Sequence, residues 1–146
     1  MRQRVHLITL GVDDLSRAAR FYEALGWRRA EGCPPGLVAF DLFGATLALY
    51  PRQDLARDIG RPLPRGSGAV ALACNVRERA EVAETVEAAR RAGATILKGP
   101  EDVFWGGHVA YLEDPEGHLW EIAWNPRAPL GPDDAFRWAG FPETVP

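Results

Sequence analysis

Residues 105–124 read WGGHVAYLEDPEGHLWEIAW, and this stretch has the pattern of a β-hairpin. Two runs rich in strand-forming residues flank the segment DPEG at 114–117, where proline fixes φ for the second turn position and glycine relaxes the exit. In the second run, Trp120 and its alternate neighbours share one face, and Glu121 lies on the other face between apolar residues. This lone carboxylate makes Glu121 the first candidate functional residue.

Composition bounds the remaining possibilities. At 146 residues with 47% hydrophobic side chains, the chain is predicted to form one compact domain, or two small modules that share a core. A net charge of -3 with dispersed arginines gives no basic surface for nucleic acid or anionic lipid, so the expected partners are small molecules or other proteins. Cys33 and Cys74 are far apart and form no CxxC pattern, which indicates a reducing cytoplasm rather than a disulfide framework. The apolar stretch within the first ten residues is too short for a signal peptide, and no apolar run approaches the ~20 residues of a membrane span.

The first half of the chain predicts a strand, a helix and three further strands. Residues 5–12 read as a buried strand, and 14–25 as a helix that Asp13 or Asp14 caps and Gly26 ends. Residues 27–30 are compatible with a short strand, and 37–43 and 46–50 with two longer ones.

The second half repeats this order after a linker rich in proline and glycine, in which 53–59 predict a helical turn. Residues 69–76 read as a strand, 78–92 as a helix that stops at Gly93, and 94–98 as a short strand before the hairpin. We therefore expect an α+β fold of two βαβββ modules at 1–51 and 68–126, a linker at 52–67 and a tail at 127–146. Curving their sheets toward each other would form a mixed sheet around a central groove.

Three phrases carry a resemblance to a known family: LGVDDLSRAARFYEALGW, RAGATILKGP and WGGHVAYLEDPEGHLWEIAWNP. They resemble the vicinal oxygen chelate superfamily, which contains glyoxalase I, extradiol dioxygenases, and fosfomycin and bleomycin resistance proteins. The resemblance covers about residues 5–126. It implies paired βαβββ modules, a homodimer and, in the enzymes, a divalent metal that grips two substrate oxygens, although fold alone does not fix chemistry.

The resemblance also implies where metal ligands should lie, and most of these positions carry other residue types. Glu121 matches the last strand of the second module, whereas the histidine position of the first strand falls on Leu7, one residue past His6. The pocket-facing residues of strand 69–76 are alanines and Asn75, and strand 46–50 has no carboxylate or imidazole. Because one carboxylate cannot hold a divalent cation against water, we expect no metal and no other cofactor. The alternative is a displaced site in which Glu121 joins His108, His118 or His6, and of these only His108 has a plausible position.

Two classes of function remain open. The first is a metal-free protein that binds an apolar or aromatic small molecule, with Trp105 stacked on the ligand. Its candidate ligand-binding residues are Trp105, His108, Glu121, Phe104, Thr9, Ala71 and Asn75. The second is a lyase, dioxygenase or isomerase in which Glu121 is the catalytic acid or base, or the ligand of an atypical metal. His118 is expected to be a turn residue that bonds local backbone, and Trp120 and Trp124 are expected in the core.

The tail contains three aromatic residues, Phe136, Trp138 and Phe141, that are too apolar to remain in water. We expect them to fold back over the domain or onto a partner subunit, with one or two helical turns over residues 133–138.

Overall fold

The computed structural model of the protein describes residues 1–138. Its first half contains β1 (Leu7–Val12), α1 (Leu15–Ala24), β2 (Val38–Leu42), β3 (Ala45–Pro51) and α2 (Arg52–Ile59). Helix α1 begins where the Asp14 carboxylate accepts the Arg17 backbone N–H at 2.9 Å, and the chain leaves it through Gly26 at φ 90°. The predicted helical turn in the linker is confirmed as the two-turn helix α2.

The second half contains β4 (Ala71–Asn75), α3 (Arg79–Ala92), β5 (Thr95–Asp102), β6 (His108–Glu113) and β7 (Leu119–Trp124). Helix α3 begins at Glu78, whose backbone N–H donates to the Glu81 carboxylate at 3.3 Å. It ends at Gly93, whose φ of 109° only glycine adopts without strain. The tail adds one short 3₁₀ turn, Pro132–Asp134, in place of the predicted helical turns over 133–138.

The strands form two mixed sheets, with orders β1-β3-β2 and β4-β7-β6-β5. In each sheet the first strand of the module pairs in parallel with the last, and the other pairs are antiparallel. The first sheet lacks the predicted strand at residues 27–30. Trp27 turns its ring into the core instead, and this segment makes one strand-like hydrogen bond, from Ala30 N to Ala39 O at 2.8 Å.

The two modules share one core beneath α1 and α3, and aromatic rings occupy its centre. Tyr22 lies 5.0 Å from Trp27, 5.6 Å from Phe40 and 6.1 Å from Trp120, measured between ring centroids. These rings come from both halves of the chain, so neither half buries its apolar face alone. Trp120 and Trp124 take the core positions that the sequence predicts.

The carboxylate of Asp114, at the start of the hairpin turn, is the polar centre of this core. It accepts hydrogen bonds from the Tyr22 hydroxyl at 2.8 Å, from the backbone N–H groups of Glu116 and His118 at 2.9 Å, and from His118 Nδ1 at 3.0 Å. Trp120 Nε1 donates in turn to the Tyr22 hydroxyl at 3.3 Å. Burial raises the pKa of Asp114, but the bonds from His118 and Tyr22 outweigh it and hold that pKa below its ordinary value. The hairpin is thereby fixed to helix α1.

A second set of contacts joins the turn to the first module and to the linker. The buried Glu116 carboxylate pairs with Arg17 at 2.5 Å and accepts the Asp13 backbone N–H at 2.7 Å. Gly66 lies against the turn so closely that an added Cβ would be 2.3 Å from Gly117 O, and Ser67 Oγ accepts the Leu119 N–H at 2.9 Å. The DPEGHLWE hairpin therefore holds the first module and the linker against the second module.

Helix α2 lies against β1 and β3 on the face opposite the core. An added Cβ on Gly11 would meet Arg52 at 3.3 Å, and Ala48, which also lies on this face, is 1% exposed. The first sheet is therefore covered on both faces, and the two cavities described below lie on the second sheet and where the two sheets meet. Within residues 1–138, no helix has the length and apolar character needed to cross a membrane. Cys33 and Cys74 are free thiols.

Candidate ligand-binding groove

A groove of about 710 Å³ lies on the open face of the second sheet, and the tail closes one side of it. We call this cavity the groove; its lining residues are Ala73, Asn75, Trp105, Glu121, Ala123, Asn125, Arg127, Phe136 and Trp138. Small side chains on β4 and β7 form its floor, and three aromatic rings form its walls. Its volume is within the roughly 300–1,000 Å³ of small-molecule sites.

Hairpin register places one carboxylate on this floor. Glu121 lies opposite Tyr111 on β6, and its Oε1 accepts a hydrogen bond from the Tyr111 hydroxyl at 3.2 Å. Burial, together with the adjacent Glu121 carboxylate, raises the pKa of Tyr111, so the phenol stays protonated and donates. The other oxygen of Glu121 has no bond to a described residue and is available to a ligand.

The ring of Trp105 is held by the two glycines that follow it. Gly106 has a φ of 92°, which a glycine adopts without strain. Gly107 leaves the space that the indole fills, because an added Cβ there would lie 1.9 Å from two ring carbons. The two glycines therefore set the position of one aromatic wall of the groove.

The opposite wall comes from the tail. Phe136 and Trp138 pack edge to face with 6.4 Å between ring centroids, yet they remain 43% and 84% exposed. Arg77, just after β4, fixes the segment before them: its Nε lies 2.7 Å from the Asp134 carboxylate, and Nη2 donates to Gly131 O at 2.9 Å. The rings thus present apolar surface that residues 1–138 do not cover. Phe141 lies outside the described residues.

Three of the seven predicted ligand-binding residues, Trp105, Glu121 and Asn75, line the groove together. Ala71 shares its sheet face, two residues along β4 from the lining residue Ala73. The other three lie elsewhere. Phe104 is fully exposed, and Thr9 lines a different cavity beneath α2.

His108 lies on the core side of β6, with the same parity as the buried Ala110 and Leu112. Its Nδ1 is 2.7 Å from the Asp102 carboxylate, which also binds Arg79 Nη2 at 2.7 Å. Arg79 and His108 lower the pKa of Asp102. Side chains alternate between the two faces of a strand, so His108 points to the core face of the sheet and Glu121, opposite Tyr111, points to the other face. The displaced metal site that would join His108 and Glu121 is therefore not formed.

The metal that the resemblance implies does not fit the side chains at this site. Leu7 and the floor residues of β4 offer no ionisable donor, so Glu121 stands alone. Across residues 1–138, no group of three or more histidine, cysteine, aspartate or glutamate side chains could hold a metal ion. One carboxylate oxygen pair falls short of the three or four donors that such a centre needs.

Sequence reasoning missed several groove residues, and the signals for them differ in strength. Tyr111 could have been found by counting outward from the turn, which pairs 113 with 119 and hence 111 with 121. Phe136 and Trp138 were recognised as rings that must pack, but which face of the domain they meet depends on tertiary structure. Asn125 and Arg127 follow β7 and carried no pattern.

Comparison with known proteins identifies the scaffold. The chain matches the family model of the glyoxalase/bleomycin resistance protein/dioxygenase superfamily over residues 4–122. A crystal structure described as a glyoxalase-related enzyme from Fulvimarina pelagi is 39% identical, with 94% of this chain and 99% of that chain covered and a TM-score of 0.88. A glyoxalase/bleomycin resistance protein/dioxygenase from Nocardioides is 26% identical over 85% of this chain and 84% of that chain, with a TM-score of 0.71. Lactoylglutathione lyase from Agrobacterium tumefaciens, at 24% identity over 84% and 94% of the two chains and a TM-score of 0.65, shares the fold.

Proposed function

The chain belongs to the glyoxalase/bleomycin resistance protein/dioxygenase superfamily, and from this premise we propose that it is a small-molecule binding protein that works without the usual metal. The observation that carries the proposal is the composition of the groove: three aromatic rings and small floor residues surround a single carboxylate. Affinity for a ligand needs walls and one or two orienting groups, whereas chelation needs several converging donors.

The ligand that suits this groove is planar, largely apolar and positively charged near one end. Trp105 on one side and Phe136 on the other offer ring faces, and Ala73 and Ala123 leave the floor open. Glu121 attracts a cation or a donor N–H group, and cation–π contact with the indoles contributes about 0.5–2 kcal/mol more. Arg127 at the exposed rim accommodates an acidic substituent on the same ligand.

Binding of the planar cation proflavine, measured by fluorescence anisotropy on EDTA-treated protein, tests this proposal. Trp105→Ala should weaken binding by about tenfold, the equivalent of about 1.4 kcal/mol for one lost stacking ring. Phe104→Ala is the matched control, since this neighbouring ring is fully exposed outside the groove, and its affinity should not change. Equal losses for the two variants, or binding that requires an added metal, contradict the proposal.

Metal analysis of the purified protein gives an independent result. Stoichiometric zinc, nickel, manganese or iron that is lost on Glu121→Ala would contradict a metal-free groove, because that pattern requires Glu121 to be a ligand.

A second candidate function is acid–base catalysis by Glu121, and the relative described as a glyoxalase-related enzyme favours it. Glu121 and Tyr111 form a carboxylate–phenol pair on the groove floor, so a proton could be abstracted next to a substrate carbonyl. Incubation with α-hydroxycarbonyl compounds in D₂O, followed by NMR, distinguishes the two functions. Deuterium incorporation that is lost in Glu121→Gln supports the enzyme, and its absence with intact proflavine binding supports the binding protein.

A further inference from the structure

A second cavity, independent of the groove, lies where the two sheets meet. This junction cleft, of about 410 Å³, lies between β1, β4, helix α2 and the connection that follows α2. Its walls are mainly apolar, from Leu10, Leu55, Leu63 and Leu72. His118 also lines the cleft, although its side chain is only 2% exposed. An aromatic ring would find a cavity of suitable size and polarity here.

The imidazole of His118 is held in one orientation by Asp114. Its Nδ1 lies 3.0 and 3.2 Å from the two carboxylate oxygens, and the low pKa of Asp114 keeps that carboxylate ionised. Nδ1 therefore carries a proton and donates it, which assigns the acceptor role to Nε2 in the neutral ring.

Nε2 of His118 has no hydrogen-bond partner among residues 1–138. Every fully buried side-chain nitrogen or oxygen in that part of the chain has a partner, so Nε2 must retain some accessible surface. Since the ring is otherwise enclosed and lines the junction cleft, that surface opens into the cleft. An acceptor is thus oriented toward a mainly apolar cavity, where a ligand donor could bond to it.

We infer that the junction cleft is a second binding site, which takes a small neutral aromatic molecule whose hydroxyl group donates to His118 Nε2. A carboxylate or phenolate lacks the proton that Nε2 accepts, and it would also approach the negative charge of Asp114. Arg52, which also lines the cleft, already binds Asp13 at 2.7 Å and Leu63 O at 2.9 Å. The junction cleft and the groove have no lining residue in common.

Phenol is the probe, and the imidazole nitrogens of ¹⁵N-labelled protein are the readout. The chain has three histidines, so each Nε2 signal is assignable. Phenol should shift the His118 Nε2 signal saturably, whereas His6 and His108 should not respond. Toluene, which has the ring without the hydroxyl, should bind at least about tenfold more weakly, because one hydrogen bond contributes about 1.4 kcal/mol.

Two variants locate the site. Leu55→Trp fills the cleft from α2 and should abolish the phenol response, while Trp105→Ala alters only the groove and should leave it unchanged. The inference is overturned if phenol produces no saturable shift in the wild-type protein, if toluene binds equally well, or if Leu55→Trp binds phenol normally. Binding of benzoate in place of phenol also overturns it, because the recognising group would then be the exposed Arg61 at the edge of the cleft.

Discussion

Replacing Tyr22 with phenylalanine removes one oxygen atom from the centre of the core and tests whether the hairpin is fixed to α1 through Asp114. The hydroxyl donates to an ionised carboxylate at 2.8 Å and accepts from Trp120 Nε1 at 3.3 Å. Burial, followed by the field of Asp114, raises the pKa of Tyr22 far above its ordinary range, so the phenol is a neutral donor at any assay pH.

The expected loss follows from these two bonds. A hydrogen bond to a charged group is worth about 1.5–3 kcal/mol, and an indole N–H left unpaired costs about 1 kcal/mol more. Asp114 keeps His118 and two backbone donors, so we place the total at about 2–3 kcal/mol. For a chain of this size that corresponds to a fall in Tm of roughly 6–12 °C.

Urea unfolding followed by circular dichroism measures this difference, with Tyr111→Phe as the matched control. That second hydroxyl also binds a carboxylate, but at 3.2 Å on the half-exposed groove floor, so its loss should cost less than about 1 kcal/mol. If Tyr22→Phe costs less than about 0.5 kcal/mol, or no more than Tyr111→Phe, the Asp114 network does not hold the modules together.

Three further predictions follow from named contacts. The folded-state pKa of Asp114 lies below its unfolded value, so the stability that the ionised carboxylate contributes should be complete above the ordinary aspartate pKa and should decline as pH falls through that value and then through the folded-state pKa. The free energy of unfolding should therefore depend less on acidic pH in Asp114→Asn than in the wild-type protein. An unchanged slope would contradict the network. Gly107→Ala should displace the indole of Trp105 and weaken proflavine binding as much as Trp105→Ala does, whereas Gly99→Ala, where an added Cβ meets nothing within 4 Å, should bind normally. Arg77→Gln should release the tail, weaken proflavine binding several-fold and lower the free energy of unfolding by less than about 1 kcal/mol. Arg79→Gln, which loses only an exposed ion pair with Asp102, is the control. Equal affinities for the two variants would show that the tail contributes nothing to binding.

Local chemistry was enough to predict most of the fold. Helix α1 was expected from a cap at Asp13 or Asp14 and its Gly26 exit, and the hairpin from its DPEG turn, because capping and turn geometry act within a few residues. The strand expected at residues 27–30 failed for a tertiary reason: Trp27 gains more from joining Tyr22, Phe40 and Trp120 than from pairing at a sheet edge.

The groove was predictable only in part. The alternation of side chains between the two faces of a strand identified Glu121 on β7 and Asn75 on β4, since this alternation depends on the strand alone. The parity of His108 was also known, but which face of β6 meets the core depended on pairing with β7. Helix α2 was recognised as a helical turn, yet its packing over β1 involves residues some forty positions away, and the sequence carried no signal for it.

Part of the groove is formed by residues that lie outside the region matched to the superfamily. The match to the superfamily ends at residue 122, whereas Phe136, Trp138 and the Asp134 carboxylate that anchors them all come later in the chain. Two of the three aromatic rings that line the groove therefore come from beyond the matched region, which supplies Trp105, Glu121 and part of the floor. If the groove binds a ligand as proposed, exchanging the segment after Trp124 should change which molecules bind while leaving the Tyr22–Asp114 hydrogen bond in place, and membership of the superfamily would then be a poor guide to the ligand.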